Sequence, residues 1–480
     1  MSWERMADYK DTLKYFVESG KTDFSKVEEN LHKIILELKA SQNKKLNYIE
    51  EYNEASVLTQ LEELKEKAKG GEKGKLFGVP ITVKDAICVK GVESKAGSKI
   101  LSGYKPVFDA TVVAKAKAEG AIILAKATQD EFGFGTFATN TEKIPLNPFD
   151  NERSCGGSSG GPAGFTAYTS KYHVSLGEST GGSIACPASF CGVVGLTPTY
   201  GLVSRYGLID YANSMDKIGT IGRSIDDASL LLEVIAGGDV QDSTSLDKGY
   251  ISDEGSMQKV ALIKDFYEHC DDSVKKVVME KIDKLKEFVQ VEEVELPLNV
   301  KYAISTYYII ATCEASTNLA KLSGLRYGKQ EDVEGRHFDE YFSAVRSFNF
   351  TDEAKRRIIL GTFARMSGYR DAYYLKAMKV RTKLIQEFNQ AFKKYDILLT
   401  PTMPITAPKF SDIKKLTPLQ NYAMDLCTVP ANLAGLPHIS SNAGMANGLP
   451  VGLMAIAPHL GEQRLYSFGK IMELKKWVTL

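Results

Sequence analysis

The chain has 480 residues, 43% of them hydrophobic, and its 60 lysines and arginines balance 60 aspartates and glutamates. A chain of this length buries most of its surface on folding, so it needs neither disulfides nor metals for stability. Zero net charge argues against a protein whose main function is to bind nucleic-acid phosphates, although it does not exclude a local basic patch.

The sequence contains no segment typical of a membrane or secreted protein. No apolar run reaches the roughly 18 residues that a membrane helix needs. The N-terminus, MSWERMADYKD, is charged and lacks the apolar region of a signal peptide. We therefore expect a cytoplasmic protein that does not associate with a membrane.

Cysteine and histidine usage limits the chemistry further. The seven cysteines contain no CxxC pair, so neither a zinc site nor a disulfide framework is indicated, and buried reduced thiols are expected. The six histidines include no HExxH or HxH pair, so we expect no metal site. If the chain is a hydrolase, its proton shuttle should be a residue other than histidine.

Two amphipathic helices are predicted in the first 70 residues. The residues that share one face of the first helix are Val27, Leu31, Ile34, Ile35 and Leu38. Ser25 and Glu28 form the pattern of a capping box at its start. The corresponding residues of the second helix are Leu58, Leu61 and Leu64. We expect residues 1–70 to be a helical segment packed on a larger core.

From Leu76 onward strands and helices alternate. LFGVPITVKD predicts a strand, AIILA at 121–125 a buried strand, and TVVAKAKAEG between them a helix. After a polar, turn-rich connection, the predicted elements are the strand VALI (260–263), the helix VKKVVMEKIDKLKEF, the helical region 352–395 and the strands DILLT (396–400) and GLPVGLMAIA. This alternation predicts a single α/β domain over residues 71–480.

Nucleotide-binding motifs are weak in this sequence. The nearest approach to a P-loop, GGEKGKL, has the wrong spacing and ends in leucine. GFGTFA at 133–138 loosely fits GxGxxA, but no strand or acidic residue supports it, so a turn is the expected structure. We expect this chain to bind no ATP.

Two glycine–serine clusters, CGGSSGG at 155–161 and STGGS at 179–183, lie within a segment rich in small residues. Each could be a flexible linker by itself, but the second continues into IACPASFCGVVGL, which is typical of buried chain. A Gly-Gly-Ser turn can aim successive backbone N–H groups at one point, where they stabilise the oxyanion of a tetrahedral intermediate. The serine that ends such a turn would be the nucleophile.

That serine needs a base, and Lys84 at the end of VPITVKD is a candidate. The carboxyl ends of strands are where α/β sheets place their sites. A solvated charge at a strand end is the alternative, and spacing alone favours it.

The sequence resembles the amidase signature family in four segments. They are GVPITVKD with Lys84, CGGSSGG, TGGS at 180–183 and SFCGVVGLTPTYG at 189–201. The resemblance implies an α/β/α sandwich with a large mixed sheet. It implies that Ser183 is the acylated nucleophile, Ser158 the bridging serine after a cis peptide bond, and Lys84 a base kept neutral by apolar surroundings. The oxyanion would be held by backbone N–H groups near Thr180, Gly181 and Gly182.

Longer segments resemble one branch of that family, the glutaminase subunits of tRNA-dependent amidotransferases. These segments include TYGLVSRYGLI, RRIILGTFARMSGYRDAYYLKAMKVRT and YAMDLCTVPANLAGLPHIS. The resemblance implies that the chain hydrolyses glutamine and passes ammonia within a complex that also contains the amidotransferase B and C subunits. The partner would use ATP and Mg²⁺ to convert misacylated Glu-tRNA(Gln) to Gln-tRNA(Gln), and it would hold most of the tRNA. Whether Asp-tRNA(Asn) is also an acceptor stays open.

The same resemblance assigns glutamine binding to Tyr308, Arg357 and Asp425. An arginine that faces the substrate carboxylate and an aspartate that faces its ammonium suit recognition of a free amino acid. Arg356 and Arg357 are adjacent, and the sequence leaves open which of them faces inward.

The chain departs from the family pattern close to the nucleophile. Ser179 and Ala185 stand where the family usually has Asp and Arg, Thr197 stands where lysine is common, and PAGFTAYTSKY carries a one-residue insertion. A paired contact that braces the catalytic loop is therefore expected to be lost. Two alternative functions stay open: a stand-alone amidase, and a catalytically weakened scaffold subunit.

Overall fold

The structure is a computed structural model that describes residues 12–332 and 335–474. The segment MSWERMADYKD therefore lies outside the described residues. The strands are β1 (Ile49–Glu51), β2 (Pro80–Lys84), β3 (Ile122–Ala127), β4 (Leu146–Asn147), β5 (Asp150–Ser154), β6 (Val174–Ser179), β7 (Val194–Thr197), β8 (Lys217–Gly222), β9 (Lys259–Ile263), β10 (Gln290–Val294), β11 (Ile397–Pro401), β12 (His438–Ala446) and β13 (Leu449–Ile456).

The helices surround these strands. They are α1 (Leu13–Thr22), α2 (Ser25–Asn43), α3 (Glu54–Lys69), α4 (Thr111–Ala118), α5 (Gly160–Tyr168), α6 (Ala185–Cys191), α7 (Ile225–Ile235), α8 (Lys264–Glu268), α9 (Asp272–Leu285), α10 (Pro297–Asn318), α11 (Phe338–Asn349), α12 (Asp352–Arg365), α13 (Lys376–Ala391), α14 (Phe410–Ile413), α15 (Pro418–Ala423), α16 (Val429–Leu433) and α17 (Glu462–Met472). No helix in the described part of the chain combines the length and the apolar character that crossing a membrane requires.

Eleven strands form one mixed sheet in the order β1-β3-β2-β6-β8-β7-β12-β13-β11-β9-β10, while β4 and β5 make a separate pair. β2 runs parallel to both β3 and β6, and β9 runs parallel to β10 and β11. The central strands from β6 to β13 pair antiparallel. The mixed α/β fold predicted from the sequence is confirmed.

The N-terminal segment differs in three details from the helical cover predicted for it. A helix that was not among the two predicted, α1, precedes them. The apolar face of α2 is buried as expected, but β1 follows it and pairs antiparallel with β3 at the sheet edge. The capping-box prediction for Ser25 and Glu28 is wrong. Phe24 occupies the N-cap position without a side-chain bond, because the Ser25 hydroxyl donates to Asp23 Oδ1 at 2.6 Å instead.

The strands and helix predicted between Leu76 and residue 127 are present as β2, α4 and β3. Every residue of β2 is buried, so its threonine and lysine point into the protein rather than to solvent. The small-residue segment 151–222 forms four strands and two short helices, because residues without bulk let buried backbones approach closely. The hypothesis of a flexible linker there is wrong.

A second apolar cluster lies beside the sheet. It joins α10, α11, α12 and α13 to aromatic residues of the loops that follow β3 and precede β8, among them Phe132, Phe134 and Tyr211. All seven cysteines are free and buried, as predicted. The carboxyl ends of β2 and β6 face this apolar cluster, and the candidate site lies between them and the cluster.

Candidate active site

Sheet topology brings the predicted base to the predicted nucleophile loop. β2 and β6 are parallel neighbours with Val83 opposite Leu176, so both strands end at the same edge of the sheet. Lys84 ends β2, and Glu178 and Ser179 end β6 immediately before the TGGS turn. A lysine and a turn that lie about 100 residues apart in sequence therefore become neighbours.

The Lys84 side chain is completely buried, so the alternative of a solvated strand-end charge is wrong. Its Nζ atom donates to Ser158 Oγ at 2.7 Å and to the Glu178 carbonyl oxygen at 2.9 Å. A third contact, 2.8 Å long, joins Nζ to Glu178 Oε2. The expectation of purely apolar surroundings is therefore also wrong, because a carboxylate pairs with this lysine.

The bridging position is occupied by Ser158, which is buried and follows a cis peptide bond from Gly157. The next residue, Ser159, donates its backbone N–H to the carbonyl oxygen of Ser183 at 3.2 Å. Ser183 is 6% exposed. One hydrogen bond thus joins the two serine loops, and Lys84 contacts the first of them through Ser158 Oγ.

The predicted oxyanion turn is built from Thr180, Gly181 and Gly182. Within residues 12–332 and 335–474, no group accepts a hydrogen bond from the backbone N–H of Gly181 or Gly182. A side chain at position 181 would meet Tyr307 Oη at 2.9 Å, so the turn is packed as tightly as a glycine permits. Two N–H groups free of protein acceptors beside a serine form the arrangement that stabilises a developing oxyanion.

The two departures from the family pattern have local substitutes. Ser179 is buried, and its Oγ accepts a hydrogen bond from Asn432 Nδ2 at 2.8 Å. The same amide nitrogen donates to the carbonyl oxygen of Gly181 inside the turn. Ala185 begins α6 and packs into the main apolar core. Asn432, which lies in the quoted segment YAMDLCTVPANLAGLPHIS but was given no role from the sequence, therefore braces the turn.

The structure answers which arginine faces inward. Arg357 is 3% exposed, whereas the Arg356 side chain is 40% exposed. Arg357 Nε donates to Glu353 Oε1 at 2.7 Å and its Nη1 donates to Tyr211 Oη at 2.6 Å. No group in the described part of the chain accepts from Nη2, so the end of the guanidinium can still meet a carboxylate.

Asp425 lies close to this arginine. Its Oδ2 accepts from Tyr308 Oη at 2.7 Å, and its Oδ1 accepts from Thr136 Oγ1 at 3.0 Å. Burial raises the pKa of Asp425 to about 6, against the lowering effect of these hydrogen bonds and of Arg357. Among residues 12–332 and 335–474 both hydrogen-bond partners of this carboxylate are neutral hydroxyls, and no cation there is hydrogen-bonded to its negative charge.

Four aromatic rings surround the guanidinium of Arg357, and the sequence pointed to only one of them, Tyr308. The rings of Phe134, Tyr211, Tyr308 and Tyr422 have their centroids 5.1 to 5.6 Å from its central carbon. Phe134 belongs to GFGTFA, which begins on the last residue of the 3-10 turn Glu131–Gly133, continues as irregular, bent chain and lines the site. The GxG pattern is the available clue, although by itself it indicates only a turn.

Histidines take no part in this site. His173 is buried against Thr82, and burial lowers its pKa to about 3, so it stays neutral. His438 is also buried, and burial lowers its pKa well below its usual value. A buried lysine and two serine loops define the chemistry instead, as in hydrolases that act through an acylated serine.

Comparison with known proteins supports this class of hydrolase. A profile of the family described as Amidase matches residues 31–466, and the chain belongs to this family. It is similar to the A subunit of glutamyl-tRNA(Gln) amidotransferase of Archaeoglobus fulgidus, with 49% identity over 84% of this chain and 87% of that protein. It is 43% identical to the protein of that name from Halothermothrix orenii, over 90% of this chain and 91% of that protein.

Solved structures give the same result for the fold. The crystal structure of the glutamyl-tRNA(Gln) amidotransferase A subunit from Thermotoga maritima matches with a TM-score of 0.76 and 35% identity, over 97% of this chain and 96% of that one. A 6-aminohexanoate cyclic dimer hydrolase matches with a TM-score of 0.81 at 21% identity, over 99% of both chains. The second likeness concerns the fold alone.

Proposed function

We propose that the chain is the glutamine-hydrolysing subunit of a tRNA-dependent amidotransferase that converts Glu-tRNA(Gln) to Gln-tRNA(Gln). The observation that carries this proposal is the buried Arg357 with a free guanidinium end beside Asp425, close to the serine loops. A cation and an anion at one end of a pocket fit the carboxylate and ammonium of a free amino acid. The names of the relatives support the same substrate and complex.

In the proposed reaction Ser183 Oγ attacks the side-chain amide carbon of glutamine. Ser183 gives its proton to Ser158, and Ser158 gives its own to Lys84, which lies 2.7 Å away. The N–H groups of Thr180, Gly181 and Gly182 hold the oxyanion, and each such donor contributes on the order of 3–4 kcal/mol to lowering the barrier. The relayed proton leaves with ammonia, and water then releases glutamate.

The ammonia is proposed to pass to partners of the B and C type, which bind ATP, Mg²⁺ and most of the tRNA. The zero net charge of this chain is consistent with that division, because gripping a tRNA requires a basic surplus. The complex would act in the cytoplasm, where aminoacylated tRNA is used.

The test replaces the proposed nucleophile in the assembled complex. Ser183→Ala should abolish amidation of Glu-tRNA(Gln) that depends on glutamine, while amidation from added ammonium continues at the wild-type rate. Ser41→Ala, which changes a buried serine on α2, is the matched control and should keep both activities. Glutamine-dependent amidation by the Ser183 variant would overturn the proposal.

The same assay separates the alternatives. A stand-alone amidase would hydrolyse small amides rapidly without partner subunits or tRNA. A scaffold subunit would co-purify with partners and hydrolyse no glutamine under any condition. The proposed subunit should hydrolyse glutamine fastest when its partners and Glu-tRNA are present.

A further inference from the structure

A buried carboxylate beside the candidate base has no place in the relay described above. Glu178 is 3% exposed, and within the described residues it carries the only carboxylate whose oxygen lies within 4.0 Å of Lys84 Nζ. The lysine faces three oxygens: Ser158 Oγ, the Glu178 carbonyl and Glu178 Oε2. An ammonium group has three N–H donors, so the arrangement satisfies a charged Lys84 completely.

The other oxygen of Glu178 belongs to a chain of hydrogen bonds. Thr180 Oγ1 lies 2.8 Å from Glu178 Oε1 and 2.7 Å from Asp216 Oδ1. A threonine hydroxyl has one hydrogen, so it can donate to only one of two carboxyl groups. The other carboxyl group must therefore carry a proton and donate to the threonine.

The proton belongs on Asp216. Burial, and then the charge of Glu178, raise the pKa of Asp216 to about 7. If Asp216 donates to Thr180 and Thr180 donates to Glu178, the Glu178 carboxylate stays free to pair with the lysine. The buried cluster then contains one ammonium, one carboxylate and one neutral carboxylic acid, and its charges balance.

Other titratable groups approach this cluster from several elements. Asp130 follows β3, Asp210 and Tyr211 precede β8, and Arg357 comes from α12. Asp130 accepts from the backbone N–H groups of Ala138 and Asn140, and burial raises its pKa to about 7. Glu178 is the carboxylate that touches the lysine directly.

We propose that Glu178 is a positioning residue that holds Lys84 in its ammonium form, so that the serine relay operates only after this pair loses a proton. The proposal rests on the acylation of Ser183 described above, but it does not depend on glutamine as the substrate. In the active state the lone pair of Lys84 Nζ faces Ser158, and its two remaining N–H bonds point at the oxygens of Glu178. The Ser183 proton then moves to Ser158 and the Ser158 proton to Lys84, while Ser183 Oγ forms its bond to the attacked carbonyl carbon and the C=O electron pair moves onto the oxyanion.

The experiment measures how fast Ser183 is acylated as pH changes. The probe is a small alkyl fluorophosphonate, which forms a P–O bond to Ser183 Oγ and loses fluoride, and the adduct is counted by mass spectrometry. The full chain is compared with Glu178→Gln and Glu178→Ser, both of which remove the carboxylate. The matched control is Glu462→Gln, since Glu462 is also 3% exposed and accepts from Thr199 N–H instead.

An adjacent opposite charge favours the ionised form of a group by about one to three pH units. The acid limb of the acylation rate should therefore move about one to three pH units lower in both Glu178 variants, and stay in place in the control. On that limb, a shift of one unit is about a tenfold faster reaction at a given pH. Thermal melting shows which variants fold, and Glu178→Ser carries the test if Glu178→Gln does not.

An acid limb that stays in place or moves higher when the carboxylate is removed would overturn the proposal, as would an equal shift in Glu462→Gln. Failure of the proposed function gives a different result. A chain that reacts with the probe but never hydrolyses glutamine contradicts the glutaminase assignment and leaves the Glu178 comparison intact.

Discussion

Replacing Asn432 tests whether the nucleophile turn depends on one amide for its geometry. Asn432 is fully buried on α16, and its Nδ2 donates both to Ser179 Oγ and to the carbonyl oxygen of Gly181. These two acceptors lie before and inside the turn that ends at Ser183. Asn432→Ala removes both donated bonds and leaves the catalytic residues in place.

The expected size of the effect follows from those two contacts. A buried acceptor that loses its donor costs about 1–3 kcal/mol, so the turn, which carries one of the two acceptors and follows the other, should shift toward new hydrogen-bond donors. A displacement near 1 Å at a reacting group costs on the order of 100-fold in rate. We expect kcat/KM for glutamine to fall about 100-fold in Asn432→Ala, with ammonium-dependent amidation unchanged.

Asn299→Ala is the matched control, because Asn299 is also fully buried and its Oδ1, like that of Asn432, has no hydrogen-bond partner in the described part of the chain. Its Nδ2 donates to Leu384 and Glu387, in the α10–α13 helical layer. Glutaminase kinetics and thermal melting are measured for both variants. If Asn432→Ala keeps wild-type kcat/KM, or if the two variants lose activity in proportion to lost stability, the bracing role is refuted.

Two further predictions concern the proposed glutamine pocket. Arg357→Lys keeps the positive charge but loses the planar guanidinium group, so KM for glutamine should rise about ten- to hundredfold, which corresponds to the loss of one charged hydrogen bond. Arg356→Lys is the control and should change KM less than twofold. An equal rise of KM in both variants would contradict the inward assignment of Arg357. Burial raises the pKa of Asp425 to about 6, so its carboxylate becomes protonated as pH falls through that value. KM for glutamine should therefore rise about tenfold per pH unit below it. A KM that stays constant through this range in steady-state kinetics would refute a role for Asp425 in binding the substrate ammonium.

The serine loops were recognisable because a Gly-Gly-Ser turn is local in sequence and shows in the composition. Lys84 was assigned as the base through the family resemblance, because its spacing alone favoured a solvated charge at a strand end. The partners of these groups were not predictable in the same way. Glu178 directly precedes the turn, but it meets Lys84, 94 positions away, only when β2 and β6 pair. Asn432 lies 251 positions from Gly181 and reaches the turn only after α16 is in place. No periodicity or spacing relates such residues.

The errors in the fold prediction have two different physical origins, one in distant strand pairing and one in a competing local hydrogen bond. Strand β1 has only three residues, and its place in the sheet depends on pairing with β3 rather than on its own pattern. Ser25 was expected to cap α2, but its hydroxyl found a nearer acceptor in Asp23. Long periodic segments such as α2 and α9 were predicted correctly, since burial of one face decides them.

Two carboxylates at this site are satisfied by different groups, which fits the different roles proposed for them. Within the described residues the Asp425 carboxylate accepts hydrogen bonds only from the neutral hydroxyls of Tyr308 and Thr136, so when ionised it retains an unbalanced charge that an incoming ammonium can neutralise. Glu178 already neutralises Lys84 at 2.8 Å, and it has little attraction left for a substrate cation. A substrate with one ammonium and one carboxylate therefore has one orientation in which each charge meets its opposite. That orientation directs its ammonium to Asp425 and its carboxylate to Arg357, and it leaves the Lys84–Glu178 pair to the relay.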